Sequence, residues 1–167
     1  MKRFGIYLAT IAFICFMVLS AQSQNIRPGH SPAPILFVGS TPCDPFIKSL
    51  LRIQDDAKCE FLKWELTLYK SQINSDSFKL SVVYGESQPN TNGFINGGKK
   101  VEITGKYTIG HGIYGNPHIK VYHLNGASFR SSVLLAEMDQ NILHFMDNEK
   151  KFIVGNGGWG YVLNRIN

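Results

Sequence analysis

Residues 128–167 read SFRSSVLLAEMDQNILHFMDNEKKFIVGNGGWGYVLNRIN. Short apolar segments alternate there with Asp139-Gln140-Asn141, Asp147-Asn148-Glu149-Lys150 and Gly155-Asn156-Gly157-Gly158. Each separator is made of residues that tolerate tight-turn dihedrals, and each apolar segment is too short for a stable helix. The stretch therefore predicts a meander of antiparallel strands. Asp139–Asn141 fits a three-residue loop with Asn141 in the left-handed position. A four-residue loop over Gly155–Gly158 would set Val154 opposite Trp159 and Phe152 opposite Tyr161. Cross-strand pairs of that kind contribute about 0.2–1 kcal/mol each.

Gly155-Asn156-Gly157-Gly158-Trp159-Gly160 also spells G-x-G-x-x-G. In a dinucleotide fold those glycines lead a strand into a helix whose N-terminus meets a pyrophosphate, with an acid about 20 residues further on. Here Tyr161-Val162-Leu163 follows, which has strand character, so the motif is expected to be a turn. No cofactor site is assigned to it.

Upstream, the strand pattern continues. Residues 60–70 (EFLKWELTLYK) place Leu62, Trp64, Leu66 and Leu68 on one face and Lys63, Glu65 and Thr67 on the other. Strict alternation with one wet face marks a half-buried antiparallel strand. Residues 77–84 repeat it with Phe78, Leu80, Val82 and Tyr84 inward. A polar loop over 85–98 precedes a third strand over 99–109, bent at Gly105, and Gly110–Pro117 reads as another loop. Asn125-Gly126 suits a type I′ hairpin, with Tyr122 opposite Phe129 and His123 opposite Ser128. Leu62, Phe78, Val101, Ile119, Ala127, Ile142, Phe152 and Trp159 then mark eight strands. The expected fold is all-β: an eight-stranded, antiparallel, up-and-down barrel of lipocalin-like form, with a two-sheet sandwich as the alternative. From Val133 to Met146 apolar residues fall on both faces, so the outer one needs a cover; the leader or the helix is the candidate.

Before the barrel, residues 1–23 have two cations, an apolar run from Tyr7 to Leu19 and then small residues, the layout of a secretory signal peptide. Cleavage is expected after Ala21-Gln22-Ser23 or after Val18-Leu19-Ser20. The run is shorter than the ~20 residues of a membrane-spanning helix, and Cys15 lies inside it, where a lipid anchor is not made. The expected location is secreted or periplasmic. Of seventeen Lys and Arg, Lys2 and Arg3 leave with the signal, so the mature chain carries fifteen cations against twelve acids, +3. So mild a balance, without long basic clusters, does not indicate nucleic acid.

Residues 24–42 hold four prolines and read as an extended leader, with Ile35-Leu36-Phe37-Val38 available as a cover strand. The barrel domain is placed at 43–167. Asp44-Pro45 is an N-cap followed by a proline at the first helical position, so a two-turn helix over Phe46–Ile53 is expected to plug one end. The mature chain has two cysteines, Cys43 and Cys59; in an oxidising compartment they read as one disulfide, the alternative being two buried thiols.

No nucleophile–base grouping is legible, so no catalytic residue is assigned. His30, His111, His118, His123 and His144 show no metal-ligand spacing, and no metal site is assigned. His144 is expected to face Ala136 among apolar neighbours. Trp64, Leu66, Phe78, Leu80, Phe152 and Tyr161 are expected to converge inside the barrel. They would line a narrow cavity whose mouth is formed by Asn90–Gly98 and Gly110–Pro117, or else fill the interior themselves.

Pro42-Cys43-Asp44, Trp64-Glu65-Leu66-Thr67-Leu68-Tyr69, Tyr84-Gly85, Val101-Glu102-Ile103-Thr104-Gly105-Lys106 and Leu143-His144-Phe145-Met146-Asp147 together resemble the strand pattern of NlpE-type envelope domains. These are small lipocalin-like barrels of Gram-negative bacteria, associated with copper resistance and envelope-stress sensing. Cys43 is followed by Asp44-Pro45-Phe46, not by the second cysteine of a C-x-x-C. The resemblance implies fold and compartment. The expected function is a non-enzymatic barrel binding a small hydrophobic ligand or an envelope partner. The alternatives are a filled structural or stress-response barrel and a copper-resistance-type protein.

Overall fold

The computed structural model describes residues 32–113 and 115–166; the expected signal peptide lies outside them. Eight strands, β1 (Ile35–Pro42), β2 (Phe61–Tyr69), β3 (Ser77–Gly85), β4 (Lys99–Ile113), β5 (Asn116–Asn125), β6 (Val133–Asp139), β7 (Ile142–Met146) and β8 (Val162–Ile166), pair antiparallel in chain order. β1 returns to β8 through Leu36–Ile166, Phe37–Arg165 and Val38–Asn164, so the barrel is closed. The up-and-down barrel expected from the sequence is the fold, and the sandwich is not.

Two of the eight strands differ from expectation. The leader segment Ile35–Pro42 is a full member of the barrel, which therefore begins before Cys43. Phe152 contributes only an isolated bridge to Met146, and Trp159 sits in a turn before β8. Phe37 explains the first difference. It is 3 % exposed, and β1 pairs with the edges of both β2 and β8, whose backbone groups would otherwise face solvent. Gly39 lets β1 approach β8: a Cβ there would lie 2.3 Å from the Val162 carbonyl oxygen.

β2 and β3 follow their alternation. Leu62, Trp64, Leu66, Leu68, Phe78, Leu80, Val82 and Tyr84 are all buried, facing one another through Trp64–Val82, Leu66–Leu80 and Leu68–Phe78. β4 runs close against β5 at Gly105, where a Cβ would stand 2.1 Å from the Asn125 carbonyl oxygen. β4 runs on to Ile113 and pairs with β5 from Asn116, so the expected Gly110–Pro117 loop is mostly hairpin. A register shift between His111 and Ile113, with Gly112 at φ 91°, accommodates the change.

The Asn125-Gly126 hairpin does not form. β5 and β6 pair as Val121–Ala136 and Tyr122–Leu135, with residues 126–132 as a loop. Phe129 is buried instead of lying opposite Tyr122, with its ring 6.0 Å from that of Phe78. Interior packing of an aromatic ring outweighs a local turn preference. The turn after β6 also differs. Asp139 pairs with Ile142 and the register shifts at Met138, leaving Gln140-Asn141 as the tip, with Asn141 outside the left-handed region. Asn156 bridges Trp159 about Gly157-Gly158, so Val154 and Phe152 do not face Trp159 and Tyr161.

Helix α1 (Pro45–Leu50) is capped by Asp44, whose Oδ1 accepts from the Ile47 N–H at 2.8 Å. Ile47, Leu50, Leu51 and Ile53 join the inner core, so this segment plugs its end of the barrel. Cys43 and Cys59 form the expected disulfide, with Cα atoms 5.7 Å apart.

The outer apolar face consists of Val121, Leu134, Ala136 and Met146. Among the described residues neither the leader from Pro32 onward nor the helix covers it: Phe152 does, with Ile113 and Ile119 of the β4–β5 hairpin. His144 faces Ala136, as expected, and its ring stacks on Phe152 at 4.9 Å. Burial holds the His144 and His123 imidazoles below their ordinary pKa. The unfolded chain therefore protonates first, so stability is fully present above about pH 6.5 and falls as the pH drops below that value. The urea midpoint is expected to be lower at pH 5.5 than at pH 7.5, and the decline to shrink in His144→Phe, which keeps the ring stack. An unchanged decline would remove His144 from this account.

Candidate functional site

Interior residues Trp64, Leu66, Leu80, Leu124, Val133, Leu135, Phe145 and Leu163 pack against one another with no room between them for a water molecule. Trp64 fills the middle. Its ring lies 5.0 Å from that of Phe145, and its indole N–H donates to Thr41 Oγ1 at 2.9 Å, giving each buried polar group its partner. Of the residues expected to converge here, Trp64, Leu66, Phe78, Leu80 and Tyr161 share the inner core. Phe152 does not; it packs on the outer cluster because its segment folds back over β7 rather than pairing as a strand.

The two loops expected at one mouth belong to opposite ends. Strand alternation puts the β3–β4 connection, with Asn90–Gly98, at the end plugged by α1, and the β4–β5 tip at the other. At the plugged end Tyr161 Oη donates to Asp44 Oδ2, so the helix cap is also tied to the segment entering β8. Burial, then this bond, raises the Tyr161 phenol above its ordinary value.

At the open end the inward face turns polar. Tyr122 Oη donates to Glu137 Oε2 at 2.7 Å, and Lys120 Nζ donates to Glu137 Oε1 at 2.8 Å. The Tyr107 and Tyr122 rings lie 5.8 Å apart. Burial first, and Asp76 second, push the Tyr107 phenol up to about 12; burial and Glu137 raise Tyr122 likewise. Both phenols are thus neutral donors at physiological pH. The cluster borders the apolar core with paired polar groups, each carboxylate oxygen of Glu137 accepting one hydrogen bond. Alternation alone could have located it, since Lys120, Tyr122 and Glu137 share inward parity, but Glu137 on a strand reads as one more solvated acid.

A third feature is an open groove of about 680 Å³ beside α1, lined by Ser49, Arg52, Ile53, Gln54, Asp55 and Arg130. It brings the helix end together with the β5–β6 loop. Nothing in the residue pattern points to it, because Arg130 reaches it through the loop that replaces the Asn125-Gly126 hairpin.

Among the described residues no three His, Cys, Asp or Glu side chains stand together as a metal-binding group, and no helix is long and apolar enough to cross a membrane. Comparison with protein-family models, with curated protein sequences and with solved structures finds no match to this chain.

Proposed function

We propose that this chain is a secreted, non-enzymatic barrel of the cell envelope that binds through its outer surface and ends, its interior serving as a structural core. The observation that carries the reading is the inner packing around Trp64, which leaves no water-sized space. An eight-stranded barrel is wide enough either to be filled by side chains or to hold one small ligand, and here a ligand would first have to displace Trp64 or Phe145. The Cys43–Cys59 disulfide suits an oxidising compartment, and the resemblance to NlpE-type domains points to the same place.

Native mass spectrometry of the protein purified from its producing cells tests the reading. The expected spectrum is that of the mature chain alone, two hydrogens below its reduced mass. A lipid, pigment or other apolar molecule travelling with the folded protein in fixed stoichiometry would overturn it in favour of a ligand-carrying barrel.

A further inference from the structure

Arg52 stands just past the end of α1 with φ at 56°. The bonds around it, Arg52 N–H to the Ser49 carbonyl at 3.2 Å and Ile53 N–H to the Lys48 carbonyl at 2.8 Å, form the helix-terminating turn in which glycine is the favoured residue. A residue with a Cβ is strained in that conformation. The arginine is nevertheless held there: Arg52 Nη2 donates to the Phe129 carbonyl at 3.0 Å. The next residue in that loop, Arg130, is fixed by its own N–H to the Leu50 carbonyl at 3.1 Å. Two reciprocal cross-links thus set both arginines on the wall of one groove. Among the described residues, neither guanidinium forms an ion pair. The last helical carbonyls already take the N–H groups just named, so the cations are not needed to satisfy them.

We infer that this groove is a binding site for a phosphate-type oxyanion, with Arg52 and Arg130 as its ligands and Ser49 and Gln54 as neutral hydrogen-bonding neighbours. Two planar guanidiniums suit the oxygens of a phosphate group better than ammonium groups do, because each can offer a pair of parallel N–H donors. Asp55, the one acid in the lining, would oppose the anion and so set a modest affinity. This inference extends the surface-binding reading but does not depend on the barrel interior being filled.

The test is a titration of the disulfide-intact protein, followed by amide NMR shifts, with inorganic phosphate in one arm and phosphatidylcholine vesicles containing phosphatidic acid in the other. Saturable binding is expected at residues 49–55 and 129–131. Arg130→Gln, which removes a guanidinium that forms no ion pair among the described residues, should weaken it about tenfold or more. Arg52→Gly should do the same while holding the thermal midpoint within a few degrees, since glycine relieves the strain as the Phe129 bond is lost. Asp55→Asn should tighten binding. Saturation in the phosphate arm identifies a soluble phosphorylated ligand as sufficient; saturation with vesicles only identifies a lipid headgroup. Absence of saturation in both arms, or equal affinity in wild type and Arg130→Gln, would overturn the inference.

Discussion

Trp64→Ala is expected to destabilise the protein by about 3–5 kcal/mol, the range for removing a large aromatic ring from a packed core. The residue is 2 % exposed, touches Phe145 and bonds Thr41. The substitution therefore leaves a void and an unpaired buried hydroxyl together. Trp64→Phe should cost less, about 1–3 kcal/mol, because it keeps much of the ring but still strands Thr41. Urea unfolding followed by circular dichroism measures both. The void has a second expected consequence. Apolar engineered cavities stay dry and take up benzene-sized molecules, so Trp64→Ala should gain saturable binding of such a probe that the wild type lacks. A loss below 1 kcal/mol in Trp64→Ala would mean that the ring is not packed as described.

The second large effect concerns the disulfide. Cys43→Ala with Cys59→Ala opens a 16-residue connection and is expected to cost about 3 kcal/mol through the larger conformational freedom of the unfolded chain. The barrel should still form, because α1 keeps its Asp44 cap and the burial of Ile47 and Leu50. Both the double variant and reduced wild type should show the same lowered midpoint. A midpoint unchanged by reduction would remove the bridge from the stability account.

What the sequence revealed and what it hid follow from the range of the interactions involved. β2 and β3 are legible because their inner residues sit on a strict two-residue period with charged residues between them. Helix α1 is legible from Asp44-Pro45, a local signal. β1 is not: Ile35–Val38 is a short apolar run after prolines, and its strand identity comes from pairing with β8 at the far end of the chain. The β5–β6 loop misleads because Asn125-Gly126 states a local preference that the burial of Phe129 overrides. Phe152 misleads in the same way; its apolar character suggests barrel interior, whereas it covers the outer face of β6 and β7. The inner core was thus largely visible residue by residue, while its tightness was not, since packing density depends on how Trp64 and Phe145 meet across the barrel. The Arg52–Arg130 groove was invisible for the same reason as the loop that builds it.

The central claim is that the barrel interior is a filled core. Titrating laurate, a chain long enough to need the whole interior, into methyl-labelled protein tests it most directly. Resonances of Leu66, Leu80, Leu124, Leu135 and Leu163 are predicted to stay where they are across the titration. Saturable shifts of these inward methyls, returning when the fatty acid is stripped, would contradict it.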